Sequence, residues 1–293
     1  ECAHVNLMQV WSMMLNRQFE QFVFTAMLLT SYFFGSAVQA AADADLIVKN
    51  SQSLEQAAYL KLPSKILARD FHLLVKLPAN YATAKQHYPT IYLLDGGATF
   101  PMLAGYYYYL QLEQLVPDAI IVGISYGTAD FEQGNMRSTD YTAPSKERSY
   151  WGGAAKFQEV LIKEIFPAIE SAYRSDNSKR IIFGQSFGGQ FVLFSALTKP
   201  ELFAGHIASN PALHRNLDFF IGSFYAKKPM TRLYVASGTQ DDPRFRQPAL
   251  TWMEHWQHQT NAPFLLRTGS LDGYGHFSIA PAAFKQGLIS VLD

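Results

Sequence analysis

Short runs dense in aliphatic, β-branched or aromatic residues recur along the chain at 71–76, 90–94, 119–124, 180–183, 205–208, 232–236 and 264–267. Each has the length of a strand. Between several of them apolar residues return at steps of three and four, which is the spacing of one helix face. Phe157, Val160, Leu161, Ile165 and Ile169 form one such series, Phe191, Phe194 and Leu197 a second, and Leu250, Met253 and Trp256 a third. Strands alternating with helices predict an α/β fold with a mostly parallel central sheet and helices on both faces. Only a loop joins the first two runs, which predicts that the early strands form an antiparallel meander. Residues 126–150 follow neither period and are rich in Gly, Asn, Asp, Ser and Thr. They read as a long loop over one end of the sheet, and loops of that length inside a domain are usually functional. The run Tyr106 to Tyr109 reads as the buried and half-buried face of a helix.

The amino-terminal pattern is of another kind. Residues 21–42 carry no charge, and the densest apolar part, 22–34, follows Arg17 and ends in Gly35, Ser36 and Ala37. That is the form of a signal peptide, and Val38-Gln39-Ala40 supplies a cleavage site after Ala40. The apolar part is interrupted by Thr25, Thr30 and Ser31 and is shorter than the roughly 20 residues a membrane span needs. The expectation is export to a periplasmic or extracellular space. On this reading residues 1–40 are upstream sequence and leader, with an n-region beginning at Met13 or Met14, and 41–293 are a single domain with no stable membrane anchor.

Composition narrows the chemistry. Apolar residues make up 48% and charged residues 16%, which excludes a disordered chain. Lys plus Arg and Asp plus Glu are equal at 24 each, so no overall basic field would draw nucleic acid. The single cysteine, Cys2, lies in the expected leader, so disulfide and thiolate-metal chemistry drop out.

The sharpest motif is Gly184-Gln185-Ser186-Phe187-Gly188-Gly189, directly after one strand run and before a helical one. Strand, turn and helix in that order are the setting of a nucleophile elbow, with glycines where side chains would collide. Ser186 is the candidate nucleophile. A serine needs a histidine to take its proton and a carboxylate to orient that histidine, and both should follow it in the chain. His206 falls inside a strand run and reads as a packed sheet residue, while His255 and His258 share a helix without the H-E-x-x-H arrangement of zinc hydrolases. His276 lies in Asp272-Gly273-Tyr274-Gly275-His276-Phe277, a glycine-flanked loop after the last strand, and is the candidate base. The loop Ser237-Gly238-Thr239-Gln240-Asp241-Asp242-Pro243 supplies the acid, with Asp241 first, Asp242 as its alternative and Asp272 a weaker third; one of the adjacent pair should merely cap the loop or helix. The oxyanion needs two backbone donors: the N–H of Phe187, and one from the run Tyr92-Leu93-Leu94-Asp95-Gly96-Gly97 after an early strand.

These residues resemble the putative esterase group of α/β-hydrolases, which includes esterase D, the mycolyltransferases and the trilactone esterases that open catecholate siderophores. The resemblance runs from about Phe71 to the carboxyl terminus through Val75-Lys76-Leu77-Pro78, Tyr92 to Gly97, Ile121 to Ile124, Arg137 with Asp140 to Pro144, Gly152-Gly153-Ala154 with Phe157, Gly184 to Gly189 and Gly275-His276. It implies an α/β-hydrolase fold and places the second oxyanion donor on Gly97. With the leader, it points to the periplasmic siderophore esterases more than to cytosolic thioester hydrolases. The expected substrate is a small-molecule ester, and no metal or organic cofactor is implied. Arg137 is expected to brace its loop by pairing with Asp140, and substrate binding is its other candidate role. An acyltransferase that passes the acyl group to an alcohol, and a non-catalytic binding protein on the same fold, are the other readings. Retention of Ser186, His276 and an acid in the right order argues against the second. Oligomeric state leaves no trace in the sequence.

Overall fold

In the computed structural model the strands follow one another as β1 Ala57–Ser64, β2 Arg69–Lys76, β3 Tyr88–Leu93, β4 Ile120–Ser125, β5 Ser175–Gln185, β6 Gly205–Ser209, β7 Thr231–Gly238 and β8 Phe264–Leu271. The structure describes residues 57–224, 226 and 230–292; the leader and its cleavage site lie outside the described residues. The strands form one sheet in the order β1-β2-β4-β3-β5-β6-β7-β8. From β4 across to β8 every neighbouring pair is parallel, whereas β2 is antiparallel to both β1 and β4. The expected mostly parallel sheet is therefore present, with one correction. β2 and β3 are consecutive in the chain but not in the sheet, because β4 lies between them, so the antiparallel partners of β2 are β1 and β4.

The helices are α1 Gly96–Leu112, α2 Arg137–Asp140, α3 Ala154–Val160, α4 Phe166–Ala172, α5 Phe187–Thr198, α6 Leu217–Phe220, α7 Pro243–Gln257 and α8 Ala280–Leu292. A π-helical turn, Leu161–Ile165, joins α3 to α4. Pro167 stands in the first turn of α4, and without an N–H it cannot donate to the carbonyl one turn back, so the helix widens before it.

Two apolar layers sandwich the sheet. On one side α3, α4, α5 and α7 bury Phe157, Ile169, Phe191 and Trp252; on the other, α1 and α8 bury Leu103, Tyr107, Phe284 and Leu288. Phe157 anchors the first layer, with ring centroids 5.1 Å from Tyr141 and 4.9 Å from Phe191, both edge-on. Within the tyrosine run Tyr107 is buried, Tyr106 and Tyr108 are half-buried, and Tyr109 is exposed. The loop of 126–150 is irregular apart from α2. Among the described residues no helix is long and apolar enough to cross a membrane.

Candidate active site

The carboxyl ends of the parallel strands converge on Ser186, which follows β5 and precedes α5. Its backbone sits at φ 57° and ψ −114°, a conformation that L-residues rarely adopt and that holds the side chain out of the turn. Two neighbouring segments clamp this geometry. The Ser186 N–H donates to the Ser209 carbonyl at 3.0 Å, and the Ser186 carbonyl accepts from the Ala212 N–H at 3.1 Å. The glycines of the motif do unequal work. A Cβ on Gly184 would lie 2.3 Å from the Gly188 backbone and one on Gly189 2.9 Å from the Ser209 carbonyl oxygen, whereas one on Gly188 would meet only ordinary contacts from 3.4 Å outward.

His276 Nε2 lies 3.0 Å from Ser186 Oγ, and His276 Nδ1 lies 2.9 and 3.0 Å from the two oxygens of Asp241. A carboxylate only accepts, so Nδ1 carries the proton and Nε2 is left to accept from the serine hydroxyl. The Asp241 side chain is fully buried and that of His276 nearly so. Phe245, one turn into α7, packs on the imidazole at 4.6 Å between centroids, and Phe277 meets it edge-on at 5.1 Å. The adjacent Asp242 does something else. It is the N-cap of α7, its Oδ1 accepting from the Arg244 N–H at 2.9 Å, and the Arg244 guanidinium beside it holds its carboxyl down at about 2. Asp272 accepts from the Thr239 hydroxyl and is remote from this hydrogen-bonded line.

Phe187 and Gly97 each stand in the first turn of a helix, α5 and α1, where backbone N–H groups have no intrahelical acceptor. Gly97 and Ser186 line the same cleft of about 780 Å³, together with Ser125, Tyr126, His72 and Phe277. Asp95, in the left-handed region at φ 55°, turns the chain from β3 into α1.

Arg137 also lines the cleft, but the expected brace to Asp140 is not formed. Its Nε and Nη2 reach Asp95 Oδ1 and Oδ2 at 2.6 and 2.7 Å, and its guanidinium lies 5.2 Å from the Phe187 ring centroid. Asp140 is taken instead by Arg69 and the Tyr126 hydroxyl, each at 2.9 Å. Asp95 could not be read from the sequence as the counterion of Arg137, because 42 residues separate them. His206 is buried within β6 beside Thr231 and Ser195, away from Ser186. Among the described residues no group of three or more His, Cys, Asp or Glu side chains is placed to hold a metal ion. Residues of the site that carried no motif are His72, Ser125 and Asn210. Of these Asn210 alone had a local signal, as the residue at the carboxyl end of a parallel strand.

The family model described as putative esterase matches residues 64–286. The ferri-bacillibactin esterase BesA of Bacillus subtilis is 32% identical over 247 residues, 75% of this chain and 84% of that protein. The apo-salmochelin esterase of Escherichia coli is 29% identical over 192 residues, 60% of this chain and 59% of that protein. Among solved structures, the BES protein from Bacillus cereus superposes with a TM-score of 0.67 at 23% identity, covering 80% of this chain and 94% of that one. The IroE-like serine hydrolase from Shewanella oneidensis gives 0.67 at 22% identity, covering 80% and 79%. Those two likenesses concern the fold. With a family match over most of its length and a relative at 32% identity, the chain belongs to the putative esterase family and is an ester-cleaving enzyme on the α/β-hydrolase fold.

Proposed function

We propose that this esterase is exported and opens siderophore esters through an acyl-serine intermediate on Ser186. The observation that carries the mechanism is the hydrogen-bonded line from Asp241 through His276 to Ser186 Oγ, with the serine on a strained turn that opens on the cleft. His276 Nε2 takes the hydroxyl proton as Ser186 Oγ bonds to the ester carbonyl carbon, and Asp241 holds the ring and balances the imidazolium. The Phe187 and Gly97 N–H groups hold the oxyanion. Collapse of the tetrahedral species breaks the bond to the leaving oxygen, which receives the proton from His276. Water then repeats the sequence on the acyl-serine, with His276 again taking a proton, and releases the acid.

The names of the relatives support the substrate class, since two of them are a ferri-bacillibactin esterase and an apo-salmochelin esterase. A cleft of about 780 Å³ lies in the range of small-molecule sites, roughly 300–1,000 Å³. Export is supported by the uncharged segment 21–42 and the small residues at Val38-Gln39-Ala40. The test is product analysis by mass spectrometry with a siderophore trilactone, in water and with added alcohol acceptors. The wild-type protein is expected to release the hydrolysed linear acid, and Ser186→Ala is expected to release none. Transfer to the alcohol in preference to water would make the enzyme an acyltransferase.

A further inference from the structure

Asn210 follows β6 directly and is buried, with a backbone φ of 39°. Its side chain lies where three functional segments meet. Oδ1 accepts from the Gly238 N–H at 2.9 Å, at the start of the loop that carries Asp241. Nδ2 donates to the carbonyls of Gly275 and His276, both at 3.3 Å, in the loop that carries the base. The amide orientation follows from its partners, because an N–H requires an oxygen and two carbonyls require an NH₂. The residues flanking Asn210 hold the third segment: the Ser209 carbonyl and the Ala212 N–H are the two that clamp Ser186, while the Asn210 N–H itself donates to the Ala236 carbonyl at 2.9 Å. Gln185, next to the serine, donates its side-chain amide to the same His276 carbonyl. A second link between the acid and base loops, from the Gln240 N–H to the Tyr274 carbonyl at 3.0 Å, does not involve the serine turn.

We propose that Asn210 is a positioning residue that sets the Ser186, His276 and Asp241 segments in register, by committing its side-chain amide to the acid loop and the base loop while its own N–H is held by Ala236 and the nearby Ser209 carbonyl and Ala212 N–H bond the serine turn. It touches no reacting atom. The left-handed backbone favours Asn, Asp or Gly at this position, and of these only Asn supplies an acceptor and two donors together. The inference rests on the acyl-serine reading of Ser186.

Asn210→Gly keeps the backbone conformation and removes the side chain; Asn210→Asp keeps the acceptor and turns the two donors into an oxygen facing two carbonyls. The purified protein is treated with a fluorophosphonate, and both the end-point stoichiometry on Ser186 and the rate constant per labelled site are measured. A residue that only supported folding would lower the stoichiometry and leave the per-site rate unchanged. Both variants are expected to label more slowly at each site, by roughly 10- to 100-fold, the cost of a misplacement on the order of an ångström in a catalytic array. The kcat on a small neutral ester is expected to fall in parallel with KM little changed. A wild-type per-site rate in either variant, whatever fraction of it is folded, overturns the inference and leaves the reading of Ser186 standing. A wild-type protein that takes no label on Ser186 overturns both.

Discussion

Arg137 holds Asp95 in a two-point ion pair, Nε to Oδ1 at 2.6 Å and Nη2 to Oδ2 at 2.7 Å, on the residue that turns β3 into α1 just ahead of Gly97. The guanidinium therefore braces the turn that leads into Gly97, which lines the cleft. Arg137→Ala is expected to lower kcat on a small neutral ester by about tenfold, equivalent to about 1.4 kcal/mol of transition-state stabilisation. Arg137→Lys is expected to recover only part of this, because an ammonium keeps the charge but not the fork. A neutral ester separates bracing from substrate recognition. An effect confined to anionic substrates would return Arg137 to a purely substrate-binding role.

Adjacent acids are expected to behave differently. Asp241→Asn removes the carboxylate that faces His276 Nδ1 and should lower kcat by about 10²- to 10⁴-fold without unfolding the protein. Asp242→Asn keeps an N-cap acceptor for α7, and Asp242→Ala loses it at a cost of about 1 kcal/mol in stability with kcat nearly unchanged. Steady-state kinetics and chemical denaturation of the same samples check both. Equal losses from the two asparagine variants would contradict the assignment.

The serine turn makes a steric prediction. Gly184→Ala drives a methyl to 2.3 Å from the Gly188 backbone, where nothing flexible can yield, so the turn must open, and labelling of Ser186 should be lost or strongly slowed. Gly188→Ala meets only ordinary contacts in that space and is expected to keep most of the wild-type labelling rate.

Burial pushes His206 down to about 3 from its ordinary value near 6.5, so the folded state holds it neutral where the unfolded chain would protonate it. Its contribution is complete above about 6.5 and is lost as pH falls through the window to about 3, with a slope approaching about 1.4 kcal/mol per pH unit. His206→Gln is expected to flatten that part of the stability curve in urea titrations between those pH values. An identical pH dependence in both proteins would contradict it.

The central parallel strands were legible because they are buried on both faces and are written as dense apolar runs, as at Ile120–Ser125, where every residue is buried. β1 was not, because Ala57–Ser64 is an edge strand that exposes most of its residues. Neighbours in the sheet were harder to read than strands, since short loops favour but do not require adjacency, and β4 enters between β2 and β3. Ser186 and His276 stood out because a strained turn and a glycine-flanked loop constrain the local sequence. Asp241 could not be separated from Asp242 by spacing; that took the direction each side chain points. Asp95, His72 and Asn210 meet their partners only through the tertiary fold.

The most direct test of the central claim is covalent labelling of the purified protein by a fluorophosphonate, with the adduct located by peptide mass in wild type and in Ser186→Ala. The account predicts a single adduct on Ser186 that the substitution abolishes while the protein stays folded. A folded wild-type protein that takes no label, or an adduct that survives in Ser186→Ala, would contradict it.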